Sequence, residues 1–166
     1  MLCRQFFLAS GSRQFVRGSV RSLSGSGSSD NVKIEYGDNG VSHLILNRHD
    51  GKNSFSKAML EEFNRAVSSL QESKTTNVVV VSSGVPKVFC AGADLKERAT
   101  MPESEVPEFV ARLRSAFSAL EALPMPTIAA IEGVALGGGL VSKIFSLNNG
   151  PVCSKEETNQ VYNLYD

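Results

Sequence analysis

Apolar and polar residues alternate along the chain in a way that predicts strands and helices in turn from residue 32 onward. The runs Val32 to Tyr36 and Val41 to Leu46 have the composition of strands, and Gly37-Asp38-Asn39-Gly40 lies between them. An Asn-Gly pair between two such runs is a strong hairpin signal because it tolerates the positive φ angles of tight turns. The pattern therefore predicts a β-hairpin at residues 32–46.

Two helices and two buried strands are predicted after the hairpin. Apolar residues at three- and four-residue spacing indicate one helix that ends near Glu72, capped by Ser54 or Ser56, and another from Val106 to about Pro124. The runs 77–82 and 127–131 are dominated by apolar residues, as in strands that are buried on both faces of a sheet. Strands and helices in this order predict an α/β fold with crossover connections.

Two loops of small residues follow strand signals. One is the Cys90-Ala91-Gly92-Ala93-Asp94 part of the stretch 88–97, and the other is Ala135-Leu136-Gly137-Gly138-Gly139. A turn of small residues after a strand leaves backbone N–H groups available to bind an oxygen anion. Two such turns at the ends of two strands aim two donors at one point, which is the geometry of an oxyanion hole.

Residues 1–29 differ in composition from the rest of the chain. They carry Arg4, Arg13, Arg17 and Arg21 and no acidic residue, and they end in a serine- and glycine-rich segment. This composition is typical of a mitochondrial transit peptide because the unbroken apolar core of a secretory signal is missing, and an ordinary disordered tail is the alternative. Without these residues, the 17 basic and 17 acidic residues of the chain become 13 and 17, a mildly acidic balance.

Composition and motif spacing argue against several function classes. The acidic balance lacks the positive field of a dedicated nucleic-acid binder, and no apolar run reaches the length of a membrane span. Cys3, Cys90 and Cys153 lack C-x-x-C spacing, so we expect free thiols rather than disulfides or a metal site. Cys90 is interpreted as a buried thiol rather than a nucleophile, because both histidines lie far upstream. The glycine loop lacks the Gly-Lys-Ser/Thr of a phosphate-binding loop.

Two stretches carry a family resemblance, namely Phe89 to Glu97 (FCAGADLKE) and Pro126 to Leu140 (PTIAAIEGVALGGGL). Both closely resemble the enoyl-CoA hydratase/isomerase, or crotonase, family. Leu46-Asn47-Arg48 and Asn53-Ser54 are similar to that family's first acyl-CoA loop. The segments Gly51 to Ser54 and Asp94 to Ala99 look most like the mitochondrial branch that includes methylglutaconyl-CoA hydratase and the enoyl-CoA hydratase domain-containing proteins. The resemblance implies a crotonase-like spiral of β-β-α units, to which residues 30–140 contribute the amino-terminal part, and a location in the mitochondrial matrix.

The resemblance also implies a site for an acyl-CoA thioester. Its carbonyl lies between the backbone N–H groups of Ala93 and Gly138, which polarise it and stabilise the enolate formed as water adds to the double bond. No metal or separate cofactor is implied, because coenzyme A is part of the substrate. The residues implied to line the coenzyme A channel are Ala91, Gly92, Asp94 and Leu95, with Lys52 and Ser54 on its other wall.

Position 141 departs from the family pattern. Hydratases of the family use one glutamate two residues after the glycine triplet and another on a later segment; Val141 occupies the first position here and cannot transfer a proton. No later family segment is recognisable, and an abrupt loss of similarity at one residue is what truncation or alternative splicing produces. We therefore expect a fold that is incomplete at its C-terminus, a poorly packed tail at 141–166, negligible hydratase activity, and exposed apolar faces on the helices at 56–72 and 106–122.

Two non-enzymatic functions stay open at this point. The chain can be a remnant that binds acyl-CoA or associates with full-length relatives, although the segment with which the family forms trimers and hexamers is not recognised in it. A relative in the resembling branch binds AU-rich RNA through a lysine-rich helix. The corresponding helix here is not basic, because Lys57 and Arg65 are accompanied by Glu61, Glu62 and Glu72.

Overall fold

The computed structural model describes residues 30–137 and the backbone of Cys153–Ser154. The predicted hairpin is confirmed: strand β1 (Val32–Tyr36) pairs antiparallel with β2 (Val41–Leu46). Gly40 closes the turn with a φ of 78°, a conformation that glycine adopts without the steric cost of a Cβ atom. The predicted leader at 1–29 lies outside the described residues.

Three further strands extend the hairpin into a five-stranded sheet. β3 (Val78–Ser83) pairs parallel with β2, and β5 (Thr127–Ile131) pairs parallel with β3. Both strands were predicted, β3 one residue earlier. β7 (Cys153–Ser154) then pairs parallel with β5, which gives the order β1-β2-β3-β5-β7. No element was predicted in this part of the tail, because a two-residue strand pairs through its backbone and carries no side-chain period.

The two predicted helices are confirmed as α1 (Lys57–Glu72) and α3 (Val106–Glu121). Of the two serine caps considered, Ser56 is the N-cap, and its Oγ accepts a hydrogen bond from the Met59 N–H at 3.1 Å. A short helix, α2 (Leu95–Thr100), and a 3-10 helix at Glu103–Glu105 precede α3. α2 was not predicted, because none of its residues is buried and it therefore has no apolar period.

The buried residues of β2, β3 and β5 alternate along each strand and share one core with the apolar faces of α1 and α3. Phe55, Phe63 and Phe117 meet in this core with ring centroids 5.2 to 5.4 Å apart. The expectation that the apolar helix faces stay exposed is wrong for the described residues. Most of their large apolar side chains are buried, namely Met59, Leu60, Phe63, Val67 and Leu70 of α1 and Phe109, Phe117 and Leu120 of α3, and Leu113 of α3 is partly buried against the same core.

A second, smaller layer carries the site. β4 (Val88–Cys90) and β6 (Val134–Ala135) form a two-stranded parallel sheet, and Phe55 and Ala93 form an isolated parallel bridge. Each long strand of the parallel part of the sheet is thus followed by a short segment of this second layer. β2 is followed by Phe55 and then α1, and β3 is followed by β4 and then α2 and α3. β5 is followed by β6. This repeat agrees with the β-β-α units that the resemblance implied.

Candidate functional site

The two predicted loops meet beyond the carboxyl ends of β4 and β6. Val88 pairs with Val134 and Cys90 with Ala135, and the Leu136 N–H donates to the Cys90 carbonyl oxygen at 2.8 Å. Gly92 has a φ of 86°, and a Cβ atom there would lie 3.1 Å from the Leu136 carbonyl oxygen and 3.6 Å from Gly137 Cα. The turn at 91–94 therefore packs directly on the start of the glycine loop. Gly138, the predicted second donor, lies outside the described residues.

A third segment, residues 52–55, lies alongside the turn. The Ala91 N–H donates to the Lys52 carbonyl at 3.1 Å, the Phe55 N–H donates to the Gly92 carbonyl at 2.7 Å, and the Asp94 N–H donates to the Phe55 carbonyl at 3.0 Å. Because Phe55 is also part of the aromatic cluster, the core of the domain fixes the position of the turn. The structure thus places the backbone of residues 52–55 next to Ala91–Asp94.

The backbone N–H of Ala93 has a fixed direction and no acceptor among the described residues. The Gly92 carbonyl is held by Phe55, and in a planar trans peptide the next N–H points to the opposite side. The other three N–H groups of the turn are all used, since Ala91 donates to Lys52, Gly92 to Cys90 Sγ at 3.4 Å and Asp94 to Phe55. Ala93 is therefore the available donor of the turn.

The side chain of Arg48 joins the two segments on either side of this donor. Its Nη1 lies 2.7 Å from the Ser54 carbonyl oxygen, 3.0 Å from Ser54 Oγ and 2.7 Å from Asp94 Oδ2. The Arg48 and Asp94 side chains are only 15% and 11% exposed, so this ion pair is poorly screened by water. The polar groups of Ser54 and Asp94, two residues predicted to line the channel, are thus engaged by Arg48.

Asp94 is a charged structural carboxylate rather than a proton donor. Burial raises the pKa of Asp94, but the hydrogen bond from Arg48, the N–H groups of Glu97 and Lys96 and the charge of Arg48 together lower that pKa below its ordinary value. Its Oδ1 caps α2 by accepting from Lys96 N at 3.1 Å and from Glu97 N at 3.2 Å. A carboxylate in this environment stays ionised at neutral pH.

Asn53 holds the loop from its buried side. Its N–H donates to the Arg48 carbonyl at 2.9 Å, its Oδ1 accepts from the Arg48 N–H at 2.8 Å, and its Nδ2 donates to Ser83 Oγ and to the Phe89 carbonyl. Asn53 and Lys52 both have positive φ, 56° and 50°, which asparagine tolerates better than most residues. Arg48 and Asn53 belong to the motif that resembles the family's first acyl-CoA loop, but no role was predicted for either, because the contacts with Ser83, Phe89 and Asp94 join residues far apart in sequence.

Cys90 is a buried thiol, as predicted. Its Sγ donates to the Asn53 carbonyl at 3.2 Å and accepts from the Gly92 N–H. Burial raises the pKa of the Cys90 thiol to about 12, against the opposing effect of the Gly92 N–H. The sulfur stays protonated at physiological pH and contributes hydrogen bonds to the turn.

The remaining predicted residues differ widely in exposure. Lys52 is exposed, Ala91 is half-buried, and Leu95 is 72% exposed at the start of α2. An apolar side chain this exposed directly after the turn is available to contact a ligand. The channel-lining roles of all six residues stay predictions.

A cavity of about 250 Å³ lies elsewhere, lined by residues 83–88 with Glu132 and Gly133. None of the residues predicted for the site lines it. Across the described residues, no helix is long and apolar enough to cross the bilayer, and the same part of the chain contains no group of three or more histidine, cysteine, aspartate or glutamate residues arranged to hold a metal ion.

Comparison with known proteins agrees with this architecture. Residues 36–146 match the family model described as enoyl-CoA hydratase/isomerase. The chain is 49% identical over 107 residues to the mitochondrial methylglutaconyl-CoA hydratase of Mus musculus, and 45% identical over 138 residues to the mitochondrial probable enoyl-CoA hydratase 2 of Arabidopsis thaliana. These alignments cover 64% and 83% of this chain but 34% and 42% of the two relatives. The chain therefore spans well under half the length of the curated relatives it matches.

A solved structure shows the same relation. The crystal structure of enoyl-CoA hydratase from Bacillus anthracis superimposes with a TM-score of 0.66 at 41% sequence identity, covering 71% of this chain and 45% of that chain. This similarity confirms the predicted crotonase-like fold. Both curated relatives are named as mitochondrial proteins, which confirms the predicted mitochondrial location.

Proposed function

Because the chain belongs to the enoyl-CoA hydratase/isomerase family, we propose that it binds an acyl-CoA thioester with the carbonyl oxygen on the backbone N–H of Ala93. The family and its mitochondrial members support a role in acyl-CoA metabolism. The thioester is the ligand, and coenzyme A enters as part of it, so the proposed site needs no separate cofactor.

The observation that carries the proposal is the Ala93 N–H. It is the one donor of the turn without an acceptor among the described residues, and the hydrogen bond from Phe55 to Gly92 fixes its direction. A donor that is oriented before the ligand arrives costs no reorganisation when charge develops on the carbonyl oxygen. The second donor in the proposal is the N–H of Gly138, which follows the loop residues that Gly92 contacts.

The proposed site holds and polarises a thioester without hydrating it. The resemblance places a proton-transferring glutamate where this chain has Val141. Two nearby carboxylates are engaged by other groups: Asp94, at the end of the turn, by Arg48, and Glu97 by the Lys57 N–H at 3.0 Å. The described part of the site therefore offers electrostatic stabilisation and no general base.

Calorimetric titration with two matched ligands tests the proposal. Butyryl-CoA is a saturated thioester that cannot be hydrated, and S-butyl-CoA is the thioether that lacks only the carbonyl oxygen. We expect butyryl-CoA to bind more tightly, by roughly fivefold for each donor, since one hydrogen bond contributes about 1 kcal/mol. Equal affinity for the two ligands would contradict the carbonyl contact.

A turnover assay tests the second part of the proposal. We expect crotonyl-CoA to bind to the purified chain while its double-bond absorbance stays constant. A full-length hydratase of the family, assayed in parallel, is the positive control. Hydration at a rate like that of the control would contradict the proposal that this chain holds a thioester without hydrating it.

A further inference from the structure

Arg48 connects the two backbone segments whose pairing sets the direction of the Ala93 N–H. Ser54 precedes Phe55 and Asp94 follows Ala93, so the contacts of Arg48 Nη1 lie on either side of the Phe55–Ala93 bridge. One nitrogen atom thus links three oxygens within 3.0 Å, two on Ser54 and one on Asp94.

The bridge itself is short, so contacts beside it add to its support. It is an isolated pair outside the named strands, with one hydrogen bond on each side of Ala93 at 2.7 and 3.0 Å. The loop that leads into it contains two non-glycine residues at positive φ, Lys52 and Asn53, a conformation that is unfavourable for residues with a Cβ atom. Charge-assisted hydrogen bonds from a guanidinium are about twice as strong as neutral ones.

The loop is built around the guanidinium. A Cβ atom at Gly51 would lie 2.5 Å from Arg48 Cζ and 2.7 Å from both Nε and Nη1. Asp50 Oδ1 lies 3.5 Å from Nε on the solvent side. Because Gly51 has no side chain, the Arg48 guanidinium can occupy this space. Any side chain at position 51 would displace the guanidinium.

We propose that Arg48 is a positioning residue: its guanidinium locks Ser54 to Asp94 and thereby aims the Ala93 N–H at the thioester carbonyl. The inference rests on the proposed function and adds a residue that makes no contact with the carbonyl. Lysine is a poor substitute, because its ammonium ends a flexible four-carbon stem, whereas the planar guanidinium holds Nη1 in a fixed direction and also places Nε 3.5 Å from Asp50 Oδ1.

Two variants separate positioning from folding. Arg48→Lys keeps the charge and removes the guanidinium. Gly51→Ala keeps every polar group and moves only the end of a flexible side chain, so it leaves the fold intact. Gly84→Ala is the matched control, because its Cβ would lie 2.5 Å from Asn47 Oδ1 and displaces a side chain that binds Asp30 and His49 instead.

The measured quantity is the infrared carbonyl frequency of butyryl-CoA, labelled with carbon-13 at the carbonyl, when bound to each protein. In the unmodified chain we expect a shift to lower frequency relative to the free ligand. Gly51→Ala and Arg48→Lys lose most of this shift and bind butyryl-CoA about fivefold more weakly. Gly84→Ala retains the full shift.

The outcomes are distinguishable. A carbonyl shift in the unmodified chain that persists in folded Gly51→Ala overturns the role of Arg48 and leaves the proposed function standing. Absence of a shift in the unmodified chain overturns the proposed function itself. If Arg48→Lys does not fold, Gly51→Ala decides alone.

Discussion

Replacing Gly92 with alanine separates the contact between the two loops from the general stability of the fold. Gly92 has a φ of 86°, and the added Cβ would lie 3.1 Å from the Leu136 carbonyl oxygen. Left-handed backbone costs an alanine about 1 to 2 kcal/mol relative to right-handed backbone, and the smaller entropy of the unfolded alanine chain returns about 0.4 to 1 kcal/mol. With the tight contact added, we expect Gly92→Ala to lower the free energy of unfolding by about 1 to 2 kcal/mol.

Gly40→Ala is the matched control for this experiment. Gly40 also has a positive φ, 78°, and its Cβ would meet only the end of the Asn77 side chain, at 2.5 Å. Asn77 is exposed and can rotate away. Gly40 lies in the hairpin turn, so its replacement carries a similar backbone cost without moving either loop of the site.

Urea denaturation and calorimetric titration with butyryl-CoA distinguish the two variants. Both lose stability, but only Gly92→Ala weakens thioester binding, by about fivefold, because the turn and the glycine loop must move apart. If Gly92→Ala loses stability yet binds butyryl-CoA like the unmodified chain, the contact between the loops does not support the site.

Three further predictions concern single side chains. Because the pKa of folded Asp94 lies below its unfolded value of about 3.9, its stabilising contribution is present above that value and is lost as the pH falls through the folded pKa. The stability difference between the unmodified chain and Asp94→Asn should therefore shrink in urea melts from about pH 6 to pH 3, and a constant difference would contradict the ion pair. Cys90, whose pKa is raised to about 12 by burial, should resist iodoacetamide at neutral pH until the chain is denatured, as peptide mapping would show; rapid labelling of the native chain would contradict its burial. Thr127 Oγ1 is buried without a hydrogen-bond partner among the described residues, so Thr127→Val should raise the free energy of unfolding by about 1 kcal/mol, and a loss of stability would mean that the hydroxyl has a partner.

The elements that the sequence predicted are those in which local chemistry and tertiary packing agree. Asn39-Gly40 specifies a hairpin by backbone preference alone, and the buried face of α1 repeats at the helical period over 16 residues. β4 has three residues and β6 has two, which is too few to show an alternating apolar pattern. The two strands pair because each follows a strand of the large sheet, β3 or β5, and lies in the same second layer. α2 is held by its cap at Asp94 rather than by an apolar face.

The candidate site was predictable in outline but not in its supporting contacts. The small residues around Gly92 marked the turn, and the resemblance assigned the N–H groups of Ala93 and Gly138 as donors, an assignment that stays a prediction. Nothing local indicates that Arg48 binds Asp94, because the contact joins residues that are far apart in sequence and depends on the space left by Gly51. The resemblance assigned Asp94 to a channel wall, and the structure shows that its carboxylate is bound by Arg48.

The most direct test of the proposed thioester contact is the amide resonance of Ala93 in a ¹⁵N-labelled chain. On addition of butyryl-CoA, the Ala93 amide proton should move downfield as it donates to the carbonyl oxygen, and S-butyl-CoA should leave it in place. The Asp94 amide, which already donates to the Phe55 carbonyl at 3.0 Å, should not move with either ligand. An Ala93 amide that is unchanged by butyryl-CoA, or that responds equally to the thioether, would contradict the assignment of this N–H as the carbonyl donor.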